Sequence, residues 1–143
     1  MVKVGGRNRL TLNFQIIEFS NFLIMEKSFD LEKRTLNFGK NIILLIKKIP
    51  RNILTENIVR QFLKSGTSIG ANYCEANNAE SRNDFIHKIA LVKKESKETI
   101  YWLELLLVAA PDLIKDIEII QKEAKELFYI FNSIYQNTKN NTP

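Results

Sequence analysis

A chain of 143 residues is long enough for one domain with a single substantial core. Apolar residues make up 45% and charged residues 26%, with only five glycines and three prolines, which argues against a chain disordered throughout and against a turn-rich, many-stranded β protein. The net charge of +5 is too small to establish nucleic-acid binding by itself, so the distribution of charge matters more than its sum.

Residues 1–24 read differently from the rest. Lys3, Arg7, Arg9 and Glu18 carry +2 of the net charge, and the stretch after Leu10 interrupts its apolar residues with Asn13, Gln15, Glu18, Ser20 and Asn21. A membrane-spanning helix needs about 20 mostly apolar residues, and this stretch has no such run. Glu18 and the lack of a small-x-small cleavage site argue against a signal peptide. The expectation is therefore a cytoplasmic protein whose natural start is Met25, preceded by a loosely attached or disordered extension. Cys74 is the sole cysteine, which forbids an internal disulfide and suits a reducing compartment; it is expected to be a small buried apolar residue.

From Ser28 onward the apolar residues fall at helical spacing. A first helix is predicted from Asp30 to Ile49, with Leu31, Phe38, Ile42, Leu45, Ile46 and Ile49 on one face, and Pro50 stops it. A second is predicted to start with Thr55 as N-cap and Glu56 in its first turn, and to carry Ile58, Phe62, Ile69, Tyr73 and Ala76 through about Ala79. Ser81 caps a third, with Asp84 in a capping-box-like position and Phe85, Ile89, Val92, Ser96, Ile100 and Leu103 as its seam to Ala109. Pro111 suits the first turn of a fourth, along which Leu113, Ile117, Ile120, Ala124, Leu127, Phe131 and Ile134 alternate in steps of four and three. Helices of about 20 to 27 residues, or roughly 30 to 40 Å at 1.5 Å per residue, joined by short loops, predict an all-α, antiparallel up-down-up-down four-helix bundle over residues 25–138 with a short tail at 139–143.

Glycine costs about 1 kcal/mol against alanine inside a helix, so Gly66 and Gly70 need a reason. They share a face and permit close approach of another helix, in the same chain or in a neighbour. A phosphate-binding loop would need a preceding strand and a Gly-Lys-Ser/Thr, and neither is present. Ser68, Asn72 and Glu75 continue a polar row on the same helix, read as a buried polar link that fixes register.

No catalytic constellation emerges. A di-iron bundle needs two Glu-x-x-His pairs, and His87 is the only histidine, preceded by Asp84. Glu95 and Glu98 sit among Lys93, Lys94 and Lys97, a pattern of helix-surface ion pairs. No metal, cofactor or nucleophile is assigned. Basic residues cluster instead: Lys40, Lys47, Lys48, Arg51, Arg60 and Lys64 oppose the single acid Glu56, giving +5 in 25 residues. Helix four has the reverse bias: Asp112, Asp116, Glu118, Glu123 and Glu126 face Lys115, Lys122 and Lys125. The basic patch would crown one end of the bundle, either as a phosphate-contacting surface or as a solvated face with no partner. Oligomerisation would multiply it.

The run Phe62-Leu63-Lys64-Ser65-Gly66-Thr67-Ser68-Ile69-Gly70-Ala71-Asn72, followed by Glu75-Ala76, resembles the signature of the bacterial four-helix-bundle protein family, also called the 23S rRNA intervening-sequence protein family, with members labelled S23-type ribosomal proteins. Residues Ser81 to Lys88, Lys93 to Thr99 with Trp102-Leu103, and the opening Met25 to Asp30 fit the same pattern. The resemblance implies an antiparallel bundle assembled as a homopentameric barrel. Some members of the family are encoded inside intervening sequences of large-subunit rRNA genes. A structurally similar protein, the accessory factor of diversity-generating retroelements, engages a reverse transcriptase and nucleic acid. No enzymatic activity is established for the family. The N-terminal extension and the modest charge depart from its pattern.

Two functions follow. One is a non-catalytic scaffold that binds RNA or DNA phosphates through the basic crown by shape and charge, because Phe38 and Phe62 near the patch fall on core-facing positions. The other is a protein–protein adaptor, without nucleic-acid affinity, that docks through Tyr101, Trp102 and Tyr135.

Overall fold

The two internal prolines, Pro50 and Pro111, fall between the periodic segments, and the backbone follows that division. The computed structural model describes residues 30–141, which form four α-helices and no strand. Helix α1 covers residues 30–46, α2 Thr55–Asn77, α3 Arg82–Ala109 and α4 Ile114–Asn140, with a 3-10 turn at Pro111–Leu113 ahead of α4. The expected extension at 1–24, the expected start at Met25 and the last two residues lie outside the described residues. Lys139 and Asn140, read from the sequence as the beginning of a tail, belong to the last turn of α4.

The helix ends show where local chemistry departs from pattern. Helix α1 stops three residues before Ile49: Lys48 N bonds Leu45 O at 2.9 Å and Ile49 N bonds Ile46 O at 3.1 Å, a tightened turn ahead of Pro50. Thr55 is not the N-cap of α2. Leu54 occupies that position without a side-chain cap, and Asn52 Oδ1 accepts from Leu54 N and Thr55 N at 2.9 and 3.0 Å. An asparagine side chain reaching two and three residues ahead builds the turn itself, which frees Thr55 to be buried with its hydroxyl 2.5 Å from Pro50 O. Helix α2 also ends at Asn77, two residues short of expectation. Ser81 does cap α3, accepting from Asp84 N at 3.1 Å.

All four helices contribute to one core. Phe38, Ile42 and Leu45 of α1 meet Phe62, Ile69 and Tyr73 of α2, Ile89, Val92, Leu103 and Leu106 of α3, and Ile117, Ala124, Leu127 and Phe131 of α4. Each large side chain removed from water here contributes about 1.5–3 kcal/mol. Tyr73 and Phe131 pack edge to face at 5.0 Å between centroids. Among the described residues, no buried side-chain nitrogen or oxygen lacks a partner. None of the described helices is long and apolar enough to cross a membrane.

Polar contacts tie each pair of neighbours. Arg34 of α1 grips Glu123 of α4 with two bonds, at 2.6 and 2.9 Å, and reaches Glu126 at 2.7 Å. The hydrogen bonds to Glu123, chiefly, hold the Arg34 guanidinium above its already high ordinary pKa. Asn77 Nδ2 donates to Glu32 Oε1 at 2.7 Å, Lys88 Nζ to Glu75 Oε2 at 2.7 Å, and Gln121 Nε2 to Glu104 Oε1 at 2.5 Å.

Candidate nucleic-acid interface

The link between α1 and α2 is the most firmly held connection near the basic cluster. Asn52 and Thr55 close it through five of their own atoms and Pro50 O, so Lys47 and Arg51 leave a fixed backbone rather than a loose loop. Facing them, the first turns of α2 present Glu56, Val59, Arg60 and Leu63. Together these residues line a cleft of about 470 Å³ whose floor is Ile46, Ile49 and Val59 and whose rim carries Lys47, Arg51 and Arg60. Arg60 lies 3.7 Å from Glu56 on an exposed i,i+4 pair, which is worth only about 0.3–0.5 kcal/mol. Lys47 and Arg51 have no carboxylate within ion-pair distance among the described residues.

The other three cations of the cluster go elsewhere. Lys48 turns toward α4, with Nζ 3.5 Å from Asp116 Oδ1. Lys40 borders a separate, largely apolar groove of about 330 Å³ between α1 and α2, with Leu36, Ile43, Gly70, Ala71 and Cys74. Lys64 is exposed one turn beyond Arg60 and acts on Glu95 of α3. Burial, first, and the neighbouring Glu98 raise the Glu95 carboxyl above the ordinary glutamate range, while Lys94 and Lys64 oppose that shift.

The helix-packing residues divide as well. A Cβ on Gly66 would collide with Ile42 Cδ1, and one on Gly70 would lie 3.4 Å from Thr35, so the close partner of both glycines is α1 of the same chain. Ser68 and Asn72 spend their side chains on their own helix, on Lys64 O at 2.6 Å and Ser68 O at 2.9 Å. Glu75 is exposed and meets Lys88 of α3, whose ammonium it holds above the ordinary lysine range by that hydrogen bond. The buried polar link is made instead by Ser65 and Thr99, whose hydroxyl oxygens lie 3.0 Å apart between α2 and α3. Both sit on core seams, Ser65 one turn from Phe62 and Thr99 one turn from Ser96, and that placement is the sequence signal for them.

Two further expectations are corrected. Cys74 is exposed, because α2 buries the stripe through Phe62, Ile69, Tyr73 and Ala76, and the next residue after Tyr73 is rotated off it. The ion pairs expected among Lys93, Lys94, Lys97, Glu95 and Glu98 do not form. Lys93 Nζ lies 4.1 Å from the Tyr135 ring centroid, Lys97 Nζ lies 5.4 Å from that of Phe128, and Glu98 accepts instead from Trp102 Nε1 at 3.3 Å. Aromatic rings of α4 opposite α3 give Lys93 and Lys97 cation–π partners in place of carboxylates on their own helix. Of the aromatics expected at a docking surface, Tyr101 is exposed, whereas Trp102 and Tyr135 are half-buried.

His87 is exposed on α3, and no group of three or more His, Cys, Asp or Glu side chains among the described residues is placed to hold a metal ion.

The sequence profile of a family described as 23S rRNA-intervening sequence protein matches residues 27–133. A solved structure, that of a protein with unknown function from the S23 ribosomal protein family of Bacteroides thetaiotaomicron, is 36% identical with a TM-score of 0.66, over 77% of this chain and 98% of that one. Among curated proteins none matches significantly.

Proposed function

The chain belongs to the 23S rRNA-intervening sequence protein family, and from that premise we propose a non-catalytic, oligomeric binding protein that holds RNA or DNA phosphates at the cleft between α1 and α2. An antiparallel up-down-up-down bundle is supported by the order of the contacts: α1 meets α4 through Arg34 with Glu123 and Lys48 with Asp116, so later residues on one helix face earlier ones on the other. Assembly into a homopentamer is part of the same reading. Leu36, Leu44, Val108 and Ile119 are exposed apolar side chains that neighbouring copies would cover.

The observation that carries the reading is the convergence of Lys47, Arg51 and Arg60 on one rim, with a single carboxylate among them. Phosphate binding by such a rim is electrostatic and salt-dependent, with a slope of roughly 0.7–0.9 per phosphate neutralised. Replacing Lys47, Arg51 and Arg60 together by alanine is expected to weaken binding of a mixed RNA pool and to flatten that slope by about 2 to 3. Unchanged affinity and slope in a folded triple variant would sink the assignment. The adaptor reading, including a reverse transcriptase as partner, is favoured by Ile53, which is 93% exposed in the link that also carries Arg51. For an adaptor, RNA is without effect on the solution mass of the protein, and an Ile53→Ser variant loses its partner.

A further inference from the structure

The opposite side of the molecule carries a second basic surface, built differently. Along α3, Lys93, Lys97 and Tyr101 follow one another at one-turn spacing. Lys125, Phe128 and Tyr129 of α4 face them. Two adjoining clefts of about 620 and about 440 Å³ run along this face and share Lys97, Tyr101 and Phe128. The rings are not core residues that happen to reach the surface: Tyr101 is 56% and Tyr129 67% exposed. Each is buttressed from one side, Tyr101 by Trp102 at 5.0 Å and Tyr129 by Phe128 at 5.7 Å between centroids.

Charge on this face is one-sided. Lys93, Lys97 and Lys125 have no carboxylate within ion-pair distance among the described residues. Among the described residues, Glu98 is the only acid lining either cleft, and its carboxylate already accepts from Trp102. Planar rings presented to solvent beside unneutralised ammonium groups match an unpaired polynucleotide strand, which offers base faces and phosphates in alternation. A duplex hides its base faces and would find only the lysines.

We propose that the α3–α4 face is a single-strand surface that stacks unpaired bases on Tyr101 and Tyr129 while Lys93, Lys97 and Lys125 hold the adjacent phosphates. It is independent of the cleft between α1 and α2, which has no aromatic lining among the described residues and would take strand or duplex alike.

The test uses the full chain and two fluorescein-labelled probes, a short poly(U) strand and a long-stemmed RNA hairpin closed by a compact four-nucleotide loop whose bases are stacked within the loop, followed by anisotropy. The wild type should prefer the strand. Tyr101→Ala with Tyr129→Ala should weaken strand binding by about twentyfold or more, since stacking on an aromatic is worth about 1–3 kcal/mol per base, and should leave hairpin binding within twofold. Tyr101→Phe with Tyr129→Phe keeps the rings and should retain the wild-type preference. The variant in Lys47, Arg51 and Arg60 should lose affinity for both probes while keeping the preference for the strand, so failure at that cleft is separable from failure here. The proposal is overturned if the wild type binds strand and hairpin equally, if the alanine pair binds the strand as the wild type does, or if polyglutamate competes as well as unlabelled poly(U), which would mark an acidic protein partner.

Discussion

Gly66 and Gly70 look alike in the sequence and differ in what they face. Gly66 lies against Ile42 Cδ1, the far end of a fully buried side chain, whereas Gly70 lies against the Cβ and Oγ1 of Thr35 at van der Waals distance. Alanine is favoured over glycine by about 1 kcal/mol inside a helix, and overpacking costs about 1–3 kcal/mol. Gly70→Ala should therefore be neutral or stabilising by up to about 1 kcal/mol, and Gly66→Ala should be destabilising by up to about 2 kcal/mol once the helix gain is subtracted. Ile42→Val removes the colliding methyl, so in that background Gly66→Ala should become favourable. A double-mutant cycle by urea unfolding reads the coupling; additivity would show that Ile42 is not what glycine accommodates. The helical spacing of the two glycines was legible, while the identity of the partner helix was not, because spacing on one helix carries no information about what approaches it.

Between α2 and α3 the decisive contact is polar. Thr99 and Ser65 are both buried with their hydroxyl oxygens 3.0 Å apart, and their two protons are shared among that contact, Glu95 O and Phe62 O. Thr99→Val keeps the shape and strands Ser65 opposite a methyl group, at an expected cost of about 1–2 kcal/mol. Adding Ser65→Ala should recover most of it, since removing both partners is nearly neutral; chemical denaturation of the two variants measures the difference. At this scale the apolar seams were easily read, because steps of three and four from Leu113 to Ile134 admit only a helix. Ser81 was legible as a cap because its partner, Asp84 N, lies within the same short segment. The Asn52 turn was not, since which of Asn52 and Thr55 caps the helix depends on the path of the link between them. Lys93 and Lys97 were misassigned for a related reason: the rings they cover, Tyr135 and Phe128, belong to α4, beyond any pattern internal to α3.

For the molecule as a whole, the modest net charge conceals a division into surfaces. The rim of Lys47, Arg51 and Arg60 and the strip of Lys93, Lys97 and Lys125 are built on different helix pairs, and the acids of α4 are drawn to Arg34 and Lys48. On the proposed reading, single-strand and phosphate recognition would have separate places, each with its own substitutions. The Arg34 clamp has a consequence of another kind. It joins residues 89 and 92 positions apart, the most distant side-chain hydrogen bonds in the chain among the described residues. Contacts of such separation carry the largest loop-closure cost and reward the chain only after nearer pairings are made. If docking of α1 against α4 follows the barrier to folding, the clamp acts as a latch on escape. Arg34→Met, which keeps the apolar stem, should accelerate unfolding by about fivefold for a loss of about 1 kcal/mol while leaving the refolding rate unchanged. Stopped-flow kinetics would show a shift in the unfolding limb alone, and equal movement of both limbs would mean that the two terminal helices meet early.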